Sequence, residues 1–190
     1  IALSFTEVQF RLTHNGRLVY DLPPSADLGR RIIDFFGGEL GGGLIPVEQP
    51  PADAQSPGIR GLIGLPQNSR ASPKWQYVFL NGRYIRDRCI QHALREAYRG
   101  LMEPSRQPVV FLYLLLDPEL VDFNVHPTKI EVRFADSNRV HSAVLRCLRD
   151  RLTRTDLTHG ASGSSAGQAI RSPRQATNID WQQPEEQGDS

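Results

Sequence analysis

"WQYVFLNGRYIRDR", residues 75–88, alternates apolar and polar side chains on both sides of Asn81-Gly82. An Asn-Gly pair readily supplies the two positive φ angles of a tight hairpin turn, so this stretch predicts two short antiparallel strands. The residues that follow carry an apolar stripe at helical spacing, formed by Ile90, Ala93, Leu94, Ala97, Tyr98 and Leu101. We therefore expect a hairpin that runs directly into a helix near residues 88–101, with Gly100 marking its end.

The downstream sequence predicts two more strands and a last helix. "PVVFLYLLLD", residues 108–117, is a continuous apolar run, typical of a strand that is covered on both faces. Ile130, Val132 and Phe134 alternate with charged residues, which indicates a half-buried strand. Apolar side chains then recur every fourth residue, which predicts a helix near 137–152 capped by Asp136 or Ser137.

The upstream sequence predicts a second hairpin and a short helix. "FTEVQFRLTHNGRLVYDLP", residues 5–23, repeats the alternating pattern around Asn15-Gly16. A helix near 27–36 follows, with Ser25 as the expected cap and Gly37-Gly38 as its end. The Gly- and Pro-rich residues 37–58 predict an irregular connection with at most a brief strand at Leu44–Val47, and residues 59–66 predict another strand. Together these elements indicate an α/β (α+β) domain in which helices cover a mixed sheet.

The periodic pattern stops near Thr155. Residues 155–190 are rich in Gly, Ser, Gln and Pro, so we expect a domain over 1–154 followed by a disordered linker or tail. This tail holds five acidic residues and two arginines, a net charge of −3, which leaves +4 on residues 1–154. The mildly basic domain permits a polyanionic partner without requiring one.

Several function classes are disfavoured by the sequence. No apolar run approaches the roughly 18 residues of a membrane span, and the first residues lack the plan of a signal peptide. We therefore expect no association with a membrane, and we interpret the chain as a piece of a longer protein. The two distant cysteines suggest ordinary thiols in a reducing cytoplasm. We find no phosphate-binding Gly-rich loop, no nucleophile elbow and no His-Cys metal cluster, and hence predict no catalytic residues and no metal site.

One loop singles out a lysine. Pro127 restricts the backbone of "NVHPTK", residues 124–129, and pushes His126 towards an extended conformation. A stiff loop presents Lys129 as a positioned point charge, and the usual target of such a charge is a phosphate. The alternative interpretation is an ordinary solvated lysine in a tight turn. His126 has no ligand partner at suitable spacing, so we interpret it as a structural turn residue, and the other histidines are scattered in sequence.

A row of arginines is the second candidate site. It comprises Arg83, Arg86, Arg88, Arg95 and Arg99. Helical spacing places the last three opposite the apolar stripe, where they could contact phosphates, or could simply be a solvated face diluted by Asp87 and Glu96. Arg88 stands where the helix begins, so we expect free N–H groups beside it that also attract phosphate. The arginines of the last helix are spread around it, which favours solubility over a site.

Three motifs in order carry a resemblance to a known family. "FLNGRYIRDR" followed by "HALREAYR", and then "DFNVHPTKIEVRF", resemble the second domain of the MutL family of DNA mismatch-repair proteins, as does "FRLTHNGRLVYDLP" upstream. The resemblance covers about residues 1–154. It implies a transducer domain of the ribosomal protein S5 domain 2-like fold, in which Lys129 reaches the γ-phosphate of ATP in a preceding ATPase domain. It also implies sequence-nonspecific DNA binding by Arg88, with Arg83 and Arg86 nearby.

The expected function follows from this resemblance. We expect no enzyme activity from the chain by itself, and ATP and Mg²⁺ bound mainly by the preceding domain. The resemblance implies further partners: DNA, a mismatch-recognition protein of the MutS type, and a second subunit in a homodimer or heterodimer. A bacterial protein of this kind would be cytoplasmic and associated with the nucleoid. The alternatives are a stand-alone nucleic-acid-binding module of the same fold and, less favoured, a fragment of a small-molecule kinase.

Overall fold

The computed structural model describes residues 2–40, 43–123 and 130–161, except for the side chains of 38, 39 and 156–161. The strands are β1 (Phe10–His14), β2 (Arg17–Leu22), β3 (Leu44–Gln49), β4 (Gly58–Gly64), β5 (Gln76–Leu80), β6 (Arg83–Ile85), β7 (Val110–Leu115), β8 (Val121–Asp122) and β9 (Arg133–Phe134). The helices are α1 (Leu28–Phe36), α2 (Arg88–Ala97) and α3 (Ser137–Ala161). None of the helices in these ranges is long and apolar enough to cross a membrane.

A mixed five-stranded sheet in the order β3-β4-β7-β5-β6 forms the centre of the domain. The parallel pair is β5 with β7, and its register aligns Val78 with Leu112. All other neighbours in this sheet are antiparallel. The β1–β2 hairpin and the β8–β9 pair are separate small sheets, and the first of these confirms the predicted turn at Asn15-Gly16. The mixed sheet covered by helices agrees with the predicted S5 domain 2-like architecture.

Helices cover both faces of the sheet. Successive residues of a strand point to opposite sides, and here both sides carry apolar side chains. On one face Val78 and Leu112 join a core with Leu94 of α2 and Leu148 of α3. On the other face the alternate strand residues pack around Ile32 of α1 in a cluster rich in aromatic rings. The prediction that residues 108–117 form a strand covered on both faces is confirmed for its centre, although Leu115 at its end is exposed.

The first helix differs from its predicted start and holds an unexpected buried arginine. Ser25 is not the cap, because the Asp27 side chain accepts the N–H of Gly29. The Ser25 hydroxyl instead accepts the N–H of Asp27, in the turn before the helix. Arg31 is fully buried, and its guanidinium donates to the carbonyl oxygens of three residues, namely Thr6, Val8 and Leu22. These bonds join α1 to the chain before β1 and to the last residue of β2.

The bounds of four other elements differ from the prediction. The brief strand expected at Leu44–Val47 is a six-residue edge strand, in which Pro46 is tolerated because an edge position does not need every N–H. Helix α2 ends at Ala97, since Gly100 takes a left-handed φ and the chain turns. The strand expected at 130–134 is limited to Arg133–Phe134. Helix α3 continues through Thr155 to Ala161, so the predicted boundary at 154 falls inside it.

Candidate functional site

The β5–β6 turn fixes the strand that carries the first two candidate arginines. Asn81 and Gly82 adopt positive φ angles of 49° and 79°, as the tight turn requires. The Asn81 side chain donates to the carbonyl oxygen of Leu116 at 2.7 Å and accepts the Leu116 N–H at 3.0 Å. The turn is therefore tied to the end of β7, so β6 starts from a well-defined position.

Arg83 and Arg86 leave this strand with exposed side chains and contact uncharged neighbours. The guanidinium carbon of Arg83 lies 4.9 Å from the centre of the Phe123 ring. Arg86 donates from Nε to the Tyr84 hydroxyl at 2.9 Å, and this bond raises the pKa of Arg86 above its usual value. Neither contact brings a negative charge to these two guanidinium groups.

The same two arginine residues contact both ends of the segment that contains the candidate lysine. Lys129 lies in 124–129, outside the described residues, as do Asn124 and His126. Phe123 precedes this segment and packs under Arg83, while the carbonyl oxygen of Ile130 accepts the Arg86 N–H at 2.9 Å. The β8–β9 pair lies on either side of the segment in the chain and aligns Val121 with Phe134. The two residues that flank the segment, Phe123 and Ile130, thus contact Arg83 of β6 and Arg86, the residue that follows β6.

Helix α2 and the residues just after it carry the remaining arginines. Ile90, Ala93, Leu94 and Ala97 are buried, and Arg88, Arg95 and Arg99 are exposed, as the helical spacing predicts. Arg99 follows the end of the helix, where its N–H donates to the carbonyl oxygen of Glu96. We call the exposed set of Arg83, Arg86, Arg88, Arg95 and Arg99 the arginine surface.

The start of α2 corrects one expectation. The half-buried Asp87 caps the helix, and its carboxylate accepts the N–H of Ile90 at 2.9 Å. Burial raises the pKa of Asp87, and hydrogen bonds from the backbone of Ile90, Cys89 and Arg88 partly oppose that rise. The prediction of free N–H groups beside Arg88 is therefore wrong, because the cap occupies them. Any anion at this position must be held by side-chain charge.

The arginines of α3 have a different role from those of the arginine surface. Arg139 forms an ion pair with Asp53 at 2.7 Å, and Arg151 donates to the carbonyl oxygen of Pro46 at 2.8 Å. Arg149 donates to the carbonyl oxygen of Glu96 at 3.1 Å and lies near its carboxylate. These contacts attach α3 to neighbouring elements. Arg149 also partly neutralises Glu96, one of the two acidic residues that were expected to dilute the positive charge of the arginine surface.

The packing of α2 on α3 assembles a cluster that no local sequence pattern predicts. His92, Glu96 and His141 come together, with the nitrogens of the two imidazoles 2.9 Å apart. The two histidines are separated by 49 residues in the chain, so no local spacing revealed them. The only sequence signal was the pair His92 and Glu96, one helical turn apart on α2.

Comparisons with known proteins agree with the motifs. Residues 32–153 match the family model described as DNA mismatch repair protein, C-terminal domain. A protein called DNA mismatch repair protein MutL from Syntrophotalea carbinolica is 41% identical over 152 residues, covering 80% of this chain and 24% of that protein. The protein of that name from Herminiimonas arsenicoxydans is 37% identical over 188 residues, covering 98% and 29%. The chain thus spans about a quarter of the length of these relatives.

A solved structure supports the fold. The crystal structure of the N-terminal domain of a DNA repair protein superposes with a TM-score of 0.66 at 21% identity. The match covers 83% of this chain and 52% of that one. At this level of identity the likeness speaks for the architecture alone.

Proposed function

Because the chain belongs to the MutL family of DNA mismatch-repair proteins, we propose that it is the transducer domain that couples ATP binding in a preceding ATPase domain to DNA binding. One observation carries the proposal. The segment containing Lys129 and the arginine surface are joined at the same place, because Phe123 contacts Arg83 and Ile130 contacts Arg86. A displacement of Phe123 or Ile130 would therefore act on β6 and on the residue that follows it, just before α2.

The charge pattern supports DNA as the ligand of the arginine surface. In the ranges that the structure describes, Arg11, Arg30, Arg139 and Arg149 lie within ion-pair distance of carboxylates. No such partner is found there for any member of the arginine surface. Guanidinium groups without a carboxylate partner, on and just beyond one strand and one helix, suit a phosphate backbone, which carries regularly spaced negative charge and is bound without reading bases.

The proposed coupling uses a differential contact. ATP and Mg²⁺ are bound mainly by the preceding domain, and Lys129 adds one positive charge at the terminal phosphate. Its role rests on family membership and on the attachment of its segment at Phe123 and Ile130. Since the lysine meets the phosphate in only one arrangement of the two domains, nucleotide binding favours that arrangement.

The proposal assigns no catalysis to this chain by itself. A single lysine cannot replace the cradle and metal of a nucleotide site. In the longer protein we expect dimerisation with an identical or related subunit and contact with a mismatch-recognition protein of the MutS type, the partners that the family implies.

A charge reversal on the arginine surface tests the DNA part of the proposal. In a protein that contains the preceding ATPase domain and this domain, Arg88→Glu is compared with Arg146→Glu, an equal charge change at an exposed position of α3. Loss of one phosphate contact lowers DNA affinity about tenfold and reduces the log-log salt slope by about one unit. Fluorescence anisotropy with duplex DNA at several salt concentrations measures both quantities.

The control decides between a local and a general charge effect. Arg146→Glu keeps affinity within about twofold of the parent, because a solvated charge away from the backbone is screened by salt. Arg149→Glu is a poorer control, since Arg149 contacts Glu96 on α2. Equal losses for Arg88→Glu and Arg146→Glu would show that net charge, and not the arginine surface, governs binding.

A further inference from the structure

We infer that His92, Glu96 and His141 form a binding site for one divalent transition-metal ion of the Zn²⁺ class, bridging α2 and α3. The three side chains converge from two helices, with one potential ligand atom from each within 4.8 Å of the others. The site goes beyond the proposed function, which uses the arginine surface and the lysine segment and requires no metal in this domain.

The distances between the ligand atoms match a tetrahedral ion. His92 Nδ1 lies 2.9 Å from His141 Nε2, and Glu96 Oε2 lies 3.8 Å from the first and 3.4 Å from the second. A tetrahedral Zn²⁺ with ligands at about 2.0–2.1 Å separates them by about 3.3 Å. Each edge of the observed triangle differs from that value by about half an ångström or less, so small side-chain rotations suffice.

The donor set indicates which ions fit. Two imidazole nitrogens and one carboxylate oxygen suit Zn²⁺ and neighbouring first-row ions, whereas Mg²⁺ and Ca²⁺ prefer oxygen ligands alone. The His92 side chain is 57% exposed, so the site opens to solvent and a water molecule completes the coordination. Arg149 approaches the other carboxylate oxygen, Oε1, and leaves Oε2 available.

Contacts within and between the two helices position the ligand side chains. His92 and Glu96 are one turn apart on α2, and His141 lies in the first turns of α3. The Cys89 thiol donates to the carbonyl oxygen of Ser137 at 3.1 Å, which joins the starts of the two helices. Glu96 also keeps its place through Arg149. A partly preorganised site loses less entropy on binding than one formed from mobile side chains.

A bound ion would fasten the helix that carries part of the arginine surface to α3. Because the ion binds the folded form, it raises the apparent free energy of unfolding by RT ln(1 + c/Kd), where c is the ion concentration, that is, with the logarithm of c once this exceeds the dissociation constant. The arginines beside the site oppose a dication, so the affinity is expected to be lower than that of a structural site with four protein ligands.

Metal binding to the 190-residue chain, prepared without a histidine tag, tests the inference. Calorimetry with ZnCl₂ is expected to show one ion per chain, and thermal unfolding should shift to higher temperature when ZnCl₂ is added. CoCl₂ is the spectroscopic probe, because visible absorption reports tetrahedral coordination. His92→Ala and His141→Ala are each expected to weaken binding at least tenfold and to abolish the thermal shift.

Matched variants keep the result interpretable. His14→Ala removes an exposed histidine from the β1–β2 hairpin and is expected to leave Zn²⁺ affinity unchanged. Glu96→Gln preserves side-chain shape while removing the charge, and it is expected to weaken Zn²⁺ binding. Circular dichroism verifies that each variant folds. The inference is overturned if the parent chain binds no Zn²⁺, or if His14→Ala reduces binding as much as His141→Ala does.

Discussion

Replacing Gly61 with alanine probes a close approach between β4 and β7 in the central sheet. Gly61 lies on β4 opposite Leu112 of β7, and its φ is +156°. A Cβ atom added there would lie 2.0 Å from the carbonyl oxygen of Phe111 and 3.1 Å from the Cα of Leu112. Both neighbours are backbone of a buried strand, so neither can rotate away and the two strands must separate locally.

The expected cost exceeds that of an unfavourable backbone angle. Forcing a side chain into a disfavoured φ costs about 1–2 kcal/mol, and overpacking a core adds about 1–3 kcal/mol, which gives a loss of about 2–5 kcal/mol for Gly61→Ala. Gly100→Ala is the matched control, because Gly100 has a φ of +82° and nothing within 4 Å of its added Cβ. We expect the control to lose about 1–2 kcal/mol.

Urea unfolding of the 190-residue chain, followed by circular dichroism, measures both losses. A domain of this kind is stabilised by about 5–15 kcal/mol in total, so the difference between the variants is readily resolved. The denaturation midpoint should fall further for Gly61→Ala, with an unchanged slope. Equal losses of unfolding free energy in the two variants would mean that the backbone of β7 does not approach Gly61 closely.

Two further predictions concern the ends of the domain. Arg31→Met removes the donors to the carbonyl oxygens of Thr6, Val8 and Leu22 and should cost about 2–4 kcal/mol in urea unfolding, whereas Arg30→Met, at an exposed neighbouring position, should cost less than about 0.5 kcal/mol. Similar losses would argue against the buried contacts. A chain ending at Ala161 should keep the melting temperature of the full chain, while one ending at Arg154 should melt lower because it loses the buried Thr155; equal values in calorimetry would contradict this.

The elements predicted correctly are those with local signals. Both Asn-Gly hairpins and the apolar stripe of α2 depend on residues close in the chain, so the pattern alone indicated them. The exposed positions of Arg88, Arg95 and Arg99 followed from helical spacing in the same way. Family membership was likewise predictable, because its motifs are contiguous stretches.

The features that were missed depend on contacts between distant segments. The full length of β3 is set by pairing with β4, which overrides a sequence rich in Gly and Pro. The His92, Glu96 and His141 cluster exists only because α2 packs on α3. The cap at the start of α2 illustrates a different limit: Asp87 was seen as a charge diluting the arginines, whereas its main role is to occupy backbone N–H groups.

Nucleotide-dependent DNA affinity tests the central claim most directly. The measurement compares duplex DNA binding by the protein with its ATPase domain, with and without a non-hydrolysable ATP analogue and Mg²⁺, for the parent and for Lys129→Ala. The account predicts that the analogue changes DNA affinity in the parent and has little effect in Lys129→Ala, while nucleotide-free binding is the same in both. An equal nucleotide effect in the two proteins would contradict coupling through Lys129. No nucleotide effect in either protein would favour the alternative function, a simple nucleic-acid-binding module.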